Sequence, residues 1–311
     1  MGFKMLEKDI LLVINPLASK GRGKDKAKSL GSYLEKHNRV FVIEYTRAKG
    51  HAEKIALDGA RNGYKVIVAV GGDGTVNEVL NGIMRSGFSS SVKMGIIPVG
   101  RGNDFAWVCN IPKDMYKAVD LILKDNGKKT DVGLCCGDGH PDGMYFFNGA
   151  GFGFEPMVNF KAMEYKHLNG MPSYIMAFLF ILRHPPKGFD LELTIDGEKR
   201  KLSTQQLSVA NGIRMGSAFK MTPRALIDDG KFDVMFTNKI FTGVDLITLV
   251  FKFLKGDHVK DKVNFTYLKA TEVEIDAKEA NIPAHLDGEV FSKNLKRAKL
   301  NILPGAINLI R

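Results

Sequence analysis

Residues 65–70, KVIVAV, limit the fold of this chain more than any other stretch. An unbroken apolar run rich in β-branched residues, with no polar alternation, suits a strand covered on both faces, as inside a parallel sheet flanked by helices. The loop GGDGT at 71–75 follows it directly, and Val76, Val79, Leu80, Ile83 and Met84 then recur at helical spacing until Gly87. The rest of the first 130 residues repeats this alternation. Strand-like runs stand at 9–16, 40–46 and 93–99, and helical patterns run through Ala27, Leu30, Tyr33 and Leu34 and over 51–63. A βαβ succession of this kind predicts a doubly wound parallel α/β sheet.

From residue 131 the rhythm changes. Short strand-like pieces occupy 131–136, 144–151, 189–196, 206–212, 231–237, 271–276 and 300–303, with glycine-rich turns at 137–140, 196–198 and 228–231. They predict an antiparallel β-sandwich. Helical inserts at 172–184 and 243–256 interrupt it, and both read first as core helices that also suit a greasy cleft or a membrane interface. A chain of 311 residues also exceeds what one core usually serves. The expected domains are therefore 1–130, 131–290, and a terminal segment 291–311 that returns to the first.

Charge narrows the partners. The formal net charge is +11, concentrated in lysine-rich stretches at 20–28, 252–262 and 293–299, so an anionic partner is expected. The basic runs carry no interleaved aromatics and no nucleic-acid motif, which argues against nucleic acid. The longest apolar run, 174–182, is half the length needed to cross a bilayer. The amino terminus enters a strand-like run without a leader pattern, and the three cysteines, Cys109, Cys135 and Cys136, lack metal spacing. A cytoplasmic protein with peripheral membrane association is expected, and homo-oligomerisation is compatible with it.

Four strand ends carry unusual loops: NPLASKGRG at 15–23, Thr46, GGDGT, and GRGND at 100–104. Ligands of open parallel sheets bind where such ends meet. In GGDGT, glycines 71, 72 and 74 let main-chain amides approach a phosphate at a helix start, and Asp73 is placed for Mg²⁺. Thr75 and Glu78 have the spacing of a capping box. The stretch is neither G-x-G-x-x-G nor a P-loop.

The ordered motifs GGDGTVNEV (71–79), PVGRGNDFA (98–106), DVG (131–133), NGAGFGFE (148–155), LSVANG (207–212), ALIDDGKFDV (225–234) and LDGE (286–289) resemble the diacylglycerol kinase catalytic family, most closely its soluble bacterial lipid kinases. Sphingosine and ceramide kinases share that domain, and NAD kinases share the GGDGT loop. The resemblance spans nearly the whole chain. It implies ATP- and Mg²⁺-dependent phosphorylation of a lipid hydroxyl, foremost that of diacylglycerol, with ATP between a nucleotide domain and a β-sandwich domain. By the same resemblance Asn15, Thr46, Gly71, Gly72, Gly74, Thr75, Asn77, Glu78, Gly100, Arg101, Gly102 and Asn103 would contact ATP. Asp73 would serve the catalytic Mg²⁺, Asp131 would be a supporting carboxylate, and Asp287 and Glu289 the acidic pair, with Glu289 as base. The Asp229 carboxylate and the carbonyls of Leu226 and Lys231 would hold a structural Mg²⁺.

Taken alone, LDGE reads as a hairpin turn, as does IDGE at 195–198; its place behind the other motifs gives it the catalytic reading. The chain departs from the family pattern at Arg101, where threonine is common, at Glu155, where aspartate is common, and in the first loop, around Ser19 and Gly21. The competing readings are a sphingoid-base kinase, an NAD kinase and a non-catalytic protein that binds nucleotide or nucleic acid through its basic face.

Overall fold

The computed structural model describes residues 9–18, 23–165, 171–216, 219–278 and 280–311; Ser19, Gly21 and the amino-terminal residues 1–8 lie outside the described residues. The chain divides into two units, residues 1–130 with 305–311, and residues 131–304.

In unit 1 the alternation is β1 (Ile10–Ile14), α1 (Gly23–Lys36), β2 (Phe41–Tyr45), α2 (His51–Arg61), β3 (Val66–Gly71), α3 (Asp73–Ser86), β4 (Lys93–Pro98), α4 (Asp104–Val108) and α5 (Met115–Leu123). The strands lie in the order β2-β1-β3-β4, all parallel. Every residue of β1 and β3 is buried, which is why their sequences carry no alternation. Helices α2 and α3 pack through small side chains. Ala52, Ala56 and Ala60 are buried, and a Cβ on Gly82 would stand 2.8 Å from that of Ala56, so only glycine allows this approach. The end of the chain joins the same sheet, with Asn308 beside Lys93 and Leu309 beside Met94 in parallel register.

Unit 2 holds the rest of β5 (Gly127–Gly137), then β6 (His140–Phe146), β7 (Gly149–Gly153), α6 (Phe154–Glu164), α7 (Met171–Arg183), β8 (Phe189–Ile195), β9 (Glu198–Thr204), β10 (Gln206–Ala210), β11 (Phe232–Thr237), α8 (Val244–Lys255), β12 (Phe265–Ala270), β13 (Glu272–Asp276), β14 (Ile282–Leu286), β15 (Glu289–Leu295) and β16 (Arg297–Ile310). One six-stranded antiparallel sheet runs β12-β11-β10-β7-β14-β15. A second antiparallel layer runs β16-β13-β8-β9, with β5 paired to β16 and β6 paired to β5. Phe146, Phe152, Leu193, Leu207, Val234, Val273, Leu286 and Leu300 fill one core that draws on both layers. Alternation along the strands divides their side chains between two environments. Phe232, Val234 and Phe236 enter this core, whereas Met235 joins a second one with Phe154, Val158, Ala177, Leu249 and Phe253 from the helices.

The sandwich departs from the sequence expectation in detail. The run at 144–151 is two strands, interrupted at Phe147 and Asn148. Strands β9, β12, β14 and β15 and helix α6 were not foreseen. The terminal segment expected to begin at 291 stays in unit 2 through β15 and the first part of β16, held by pairing with β14 and β13, and enters unit 1 at Gly305.

Candidate functional site

In unit 1 the strand ends enclose a cavity of about 820 Å³ lined by Asn15, Gly72, Gly100 and Arg101 together with Asp25, Lys26 and Ser29 of α1. The first four were expected from sequence, and the α1 residues were not. The Asn15 side chain accepts the Leu17 amide at 2.9 Å, which turns the chain away from β1. Arg101 and Lys26 give the cavity cationic side chains beside the start of α3, a setting that favours phosphate.

The glycines serve packing before they serve a ligand. A Cβ on Gly72 would lie 3.2 Å from the Cα of Gly100, and one on Gly100 would lie 3.1 Å from the Gly72 amide nitrogen and 2.8 Å from Asn103 Oδ1. The two loops therefore touch backbone to backbone. Asn103, at φ 52°, braces its own loop: its Oδ1 accepts the Gly100 amide and its Nδ2 donates to the Gly100 carbonyl, both at 3.0 Å. The loops are tied by Asp73, whose two oxygens accept the amides of Asn103 at 2.7 Å and Asp104 at 2.6 Å. Burial pushes the Asp73 carboxyl above its ordinary value, against the opposing pull of these amides.

The capping-box expectation is corrected. The N-cap of α3 is Gly72, without a side-chain cap, and Thr75 lies buried inside the helix. Glu78 instead accepts the amides of Gly50 at 2.8 Å and Ala52 at 3.0 Å and so caps α2. Asn77 is buried, with Asn81 Nδ2 donating to its side chain and carbonyl. Thr46, whose amide bonds to the Ile14 carbonyl at 2.9 Å, and residues 75, 77 and 78 do not line the cavity.

In unit 2 the segment LDGE is a two-residue hairpin between β14 and β15, with Asp287 at φ 49° and Gly288 at φ 84°. Positive φ at both centres is what a type I′ turn requires. Asp287 accepts the amides of Phe147 at 2.8 Å, Asn148 at 2.8 Å and Gly149 at 3.1 Å, which fill the break between β6 and β7. Glu289, half-buried, follows at the head of β15. IDGE at 195–198 adopts the same turn, and Asp196 likewise accepts the amides of Thr271 and Glu272. The motif dictates the turn, not the chemistry.

Asp131, buried, accepts the Gly230 amide at 2.6 Å and pins the 227–230 turn, while Asn211 Nδ2 donates to both its carbonyl and that of Phe147. Asp229 receives the ammonium of Lys269 and, at 3.1 Å, the Lys231 amide; Leu226 is exposed. A Mg²⁺ held there would have to displace the Lys269 ammonium from the carboxylate. Among the described residues no group of three or more His, Cys, Asp or Glu gathers to hold a metal. Asp73 differs: main-chain amides, of Phe105 as well as of Asn103 and Asp104, meet its carboxylate, and its charge would serve a Mg²⁺ held chiefly by phosphates.

A second cavity lies where the two helical inserts meet, the greasy cleft that the sequence offered as their second reading; the share of α6 in it was not foreseen. Helices α6, α7 and α8 enclose about 180 Å³ lined by Phe154, Val158, Ile175, Phe178, Leu179, Phe219, Val250, Phe253 and Leu254, with Glu155 and Tyr174 adding polar atoms. Ile175 and Leu179 of this lining are also exposed, as are Met176 and Phe180 of α7 and Val244, Ile247 and Phe251 of α8. No helix among the described residues is long and apolar enough to cross a membrane.

Comparison with known proteins agrees with this anatomy. Residues 9–135 match the diacylglycerol kinase catalytic domain, and residues 149–311 match the YegS C-terminal NAD kinase beta sandwich-like domain. A diacylglycerol kinase of Bacillus subtilis is 29% identical over 267 residues, 84% of each chain. One from Staphylococcus haemolyticus is 28% identical over 301 residues, covering 92% of this chain and 85% of its own. A crystal structure of a diacylglycerol kinase from Bacillus anthracis superposes with a TM-score of 0.71 at 22% identity, over 98% of this chain and 97% of that one. Yeast NADH kinase complexed with NADH superposes at 0.52 with 9% identity, over 98% and 83%; these two likenesses show the fold alone. With its α/β unit, its β-sandwich unit and matches to both domain models, the chain belongs to the diacylglycerol kinase catalytic family, in the branch that carries a YegS-type carboxyl-terminal sandwich.

Proposed function

We propose that the protein transfers the γ-phosphoryl group of ATP to the hydroxyl of a membrane lipid, diacylglycerol first, giving phosphatidic acid. The observation that carries this reading is the apolar cavity of unit 2, in the same unit as the turn that bears Asp287 and Glu289. A hydrocarbon-lined cavity suits an acyl chain and offers little to NAD, a polar dinucleotide.

Phosphoryl transfer needs positioning, charge neutralisation and an acceptor for the hydroxyl proton. Unit 1 supplies the nucleotide half. Arg101, Lys26 and the amides at the start of α3 would take the phosphates, and Asp73 would meet the Mg²⁺ that enters with them. Mg²⁺, when bound, supplies neutralisation of phosphate charge. Unit 2 supplies the lipid half. Glu289 would accept the proton from the lipid hydroxyl, and Asp287 would hold the turn that presents it.

The lipid would be met at an anionic bilayer surface. The exposed apolar faces of α7 and α8 would enter the interface, with the net charge of +11 favouring the approach. The test is an assay with γ-labelled ATP over diacylglycerol, monoacylglycerol, phosphatidylglycerol, long-chain polyprenols, sphingosine and NAD. Label in the diacylglycerol fraction is expected. Label in another lipid reassigns the substrate, and label in NAD alone, or in none, overturns the reading.

A further inference from the structure

In unit 2, two side-chain relays start in the wall of the apolar cavity and end on one residue, Gly288. In the first, Glu155 holds Nε2 of the fully buried His285, and Nδ1 of that ring accepts the Gly288 amide at 3.1 Å. Because the amide can only donate, Nδ1 must accept, so the ring proton sits on Nε2 and points at the carboxylate. In the second, the Tyr174 hydroxyl donates to Asn159 Oδ1 at 3.0 Å, and Asn159 Nδ2 donates to the Gly288 carbonyl at 2.9 Å. Glu155 and Tyr174 both line the cavity.

Gly288 stands between Asp287 and Glu289. The polar groups at the tip of a two-residue hairpin normally face water, and here both are taken by buried side chains of α6 and β14. The pitch of the turn is thereby fixed from inside the unit. A relay of two hydrogen bonds transmits position well, because each buried partner that moves leaves an unsatisfied polar group behind.

We propose that Glu155, His285, Asn159 and Tyr174 are positioning residues that set the Asp287–Gly288–Glu289 turn from the cavity wall, so that an apolar chain packed in the cavity decides where Glu289 stands. The proposal rests on the reading that this cavity takes the lipid and that Glu289 acts on its hydroxyl. It gives the enzyme a way to couple chain recognition to catalysis, through groups that never touch the reacting atoms.

The test uses the full chain with ATP and diacylglycerols of long and short acyl chains. Tyr174→Phe removes one hydroxyl and keeps the ring. His285→Gln keeps a donor toward Glu155 and loses the acceptor for Gly288, whereas His285→Asn restores an acceptor near the Nδ1 position. Misplacement of a reacting group by about 1 Å costs on the order of 100-fold, so His285→Gln is expected to lower kcat about tenfold or more. Tyr174→Phe is expected to lower kcat on the long-chain lipid about fivefold, as befits one lost hydrogen bond, and less than about twofold on the short-chain lipid. The KM for ATP should stay unchanged in each, and His285→Asn should recover part of the loss. Wild-type kcat in both His285→Gln and Tyr174→Phe, with or without lowered thermal stability, overturns the proposal, as does an equal Tyr174→Phe penalty on both lipids. Glu289→Gln is assayed beside them. If it is inactive while the relay variants are normal, only the positioning proposal falls; if it is fully active, the role given to Glu289 falls and the proposal with it. Should His285→Gln not fold, Tyr174→Phe decides alone.

Discussion

The two Asp-Gly hairpins allow one experiment to separate turn stability from chemistry. Asp287→Ala leaves the amides of Phe147, Asn148 and Gly149 without their acceptor, in a region where Phe147 is 0% and Asn148 4% exposed. Asp196→Ala removes an equivalent set, the Thr271 amide and hydroxyl at 2.9 and 2.7 Å and the Glu272 amide at 2.9 Å, at an exposed site. Burial works against the charge on Asp196, yet these donors hold its carboxyl below the ordinary range. Hydrogen bonds to charged groups contribute about 1.5–3 kcal/mol each where water is excluded and less where water can substitute. Allowing for partial rehydration and the two shared oxygens, Asp287→Ala should cost about 3–5 kcal/mol and Asp196→Ala about 1–2 kcal/mol. Asp287→Asn should fall between, since one oxygen can still serve Asn148 and Gly149 while the new NH₂ opposes the Phe147 amide. Urea unfolding read by far-ultraviolet circular dichroism gives the stabilities, and labelled phosphate transfer by the folded fraction gives the activities. Only the Asp287 variants should lose turnover; Asp196→Ala should stay within about twofold of wild type, as surface turn changes do. Equal stability losses at the two turns would refute the burial argument. Lost turnover in Asp196→Ala would refute the assignment of the site to one turn.

Glu78→Ala should destabilise the protein by about 1 kcal/mol through loss of the α2 cap while leaving ATP affinity unchanged, readable by thermal unfolding and nucleotide titration. A tenfold weaker ATP affinity would instead place Glu78 on the nucleotide. Arg101→Ala should raise the KM for ATP about tenfold with little change in stability, the cost of one charge-assisted phosphate contact; an unchanged KM removes Arg101 from the phosphate site. Lys252 and Asn264 hold the Asp261 carboxyl down from 3.8 to about 2. A depressed carboxylate stabilises above its unfolded value and loses that contribution as pH falls toward its folded value. Wild type should therefore exceed Asp261→Asn in stability at pH 7, with the gap closing between about pH 4 and pH 2; a gap independent of pH contradicts the pairing.

Much of unit 1 was legible because its strands are buried on both faces and its loops carry glycine. KVIVAV has one physical explanation, and β3 is the strand it predicted. The Thr75–Glu78 spacing misled because a capping box is a local pattern, while Glu78 answers to α2, whose amides lie 26 and 28 residues away in sequence. Strand β9 was illegible for a different reason. Residues 198–201 are exposed at the edge of its layer, and charged side chains there guard the edge and erase the alternation. Helix α6 buries Phe154, Glu155, Val158, Asn159 and Ala162, so polar residues sit where an apolar stripe was sought. Glu155 was visible only as a departure from a family pattern, and its partner His285 lies 130 residues on. No sequence period reports such a contact. LDGE and IDGE show the converse limit: nearly identical residues fold alike, and only their surroundings separate them.

The most direct test of the account is phosphate transfer from γ-labelled ATP to diacylglycerol in anionic vesicles, with wild type and Glu289→Gln measured side by side at equal folded concentration. Labelled phosphatidic acid is expected from wild type, with a loss of at least about 100-fold in the variant, in the range typical of a missing general base. Equal labelling by the two proteins would contradict the role of Glu289, and labelling of NAD in place of lipid would contradict the reading of the protein as a lipid kinase.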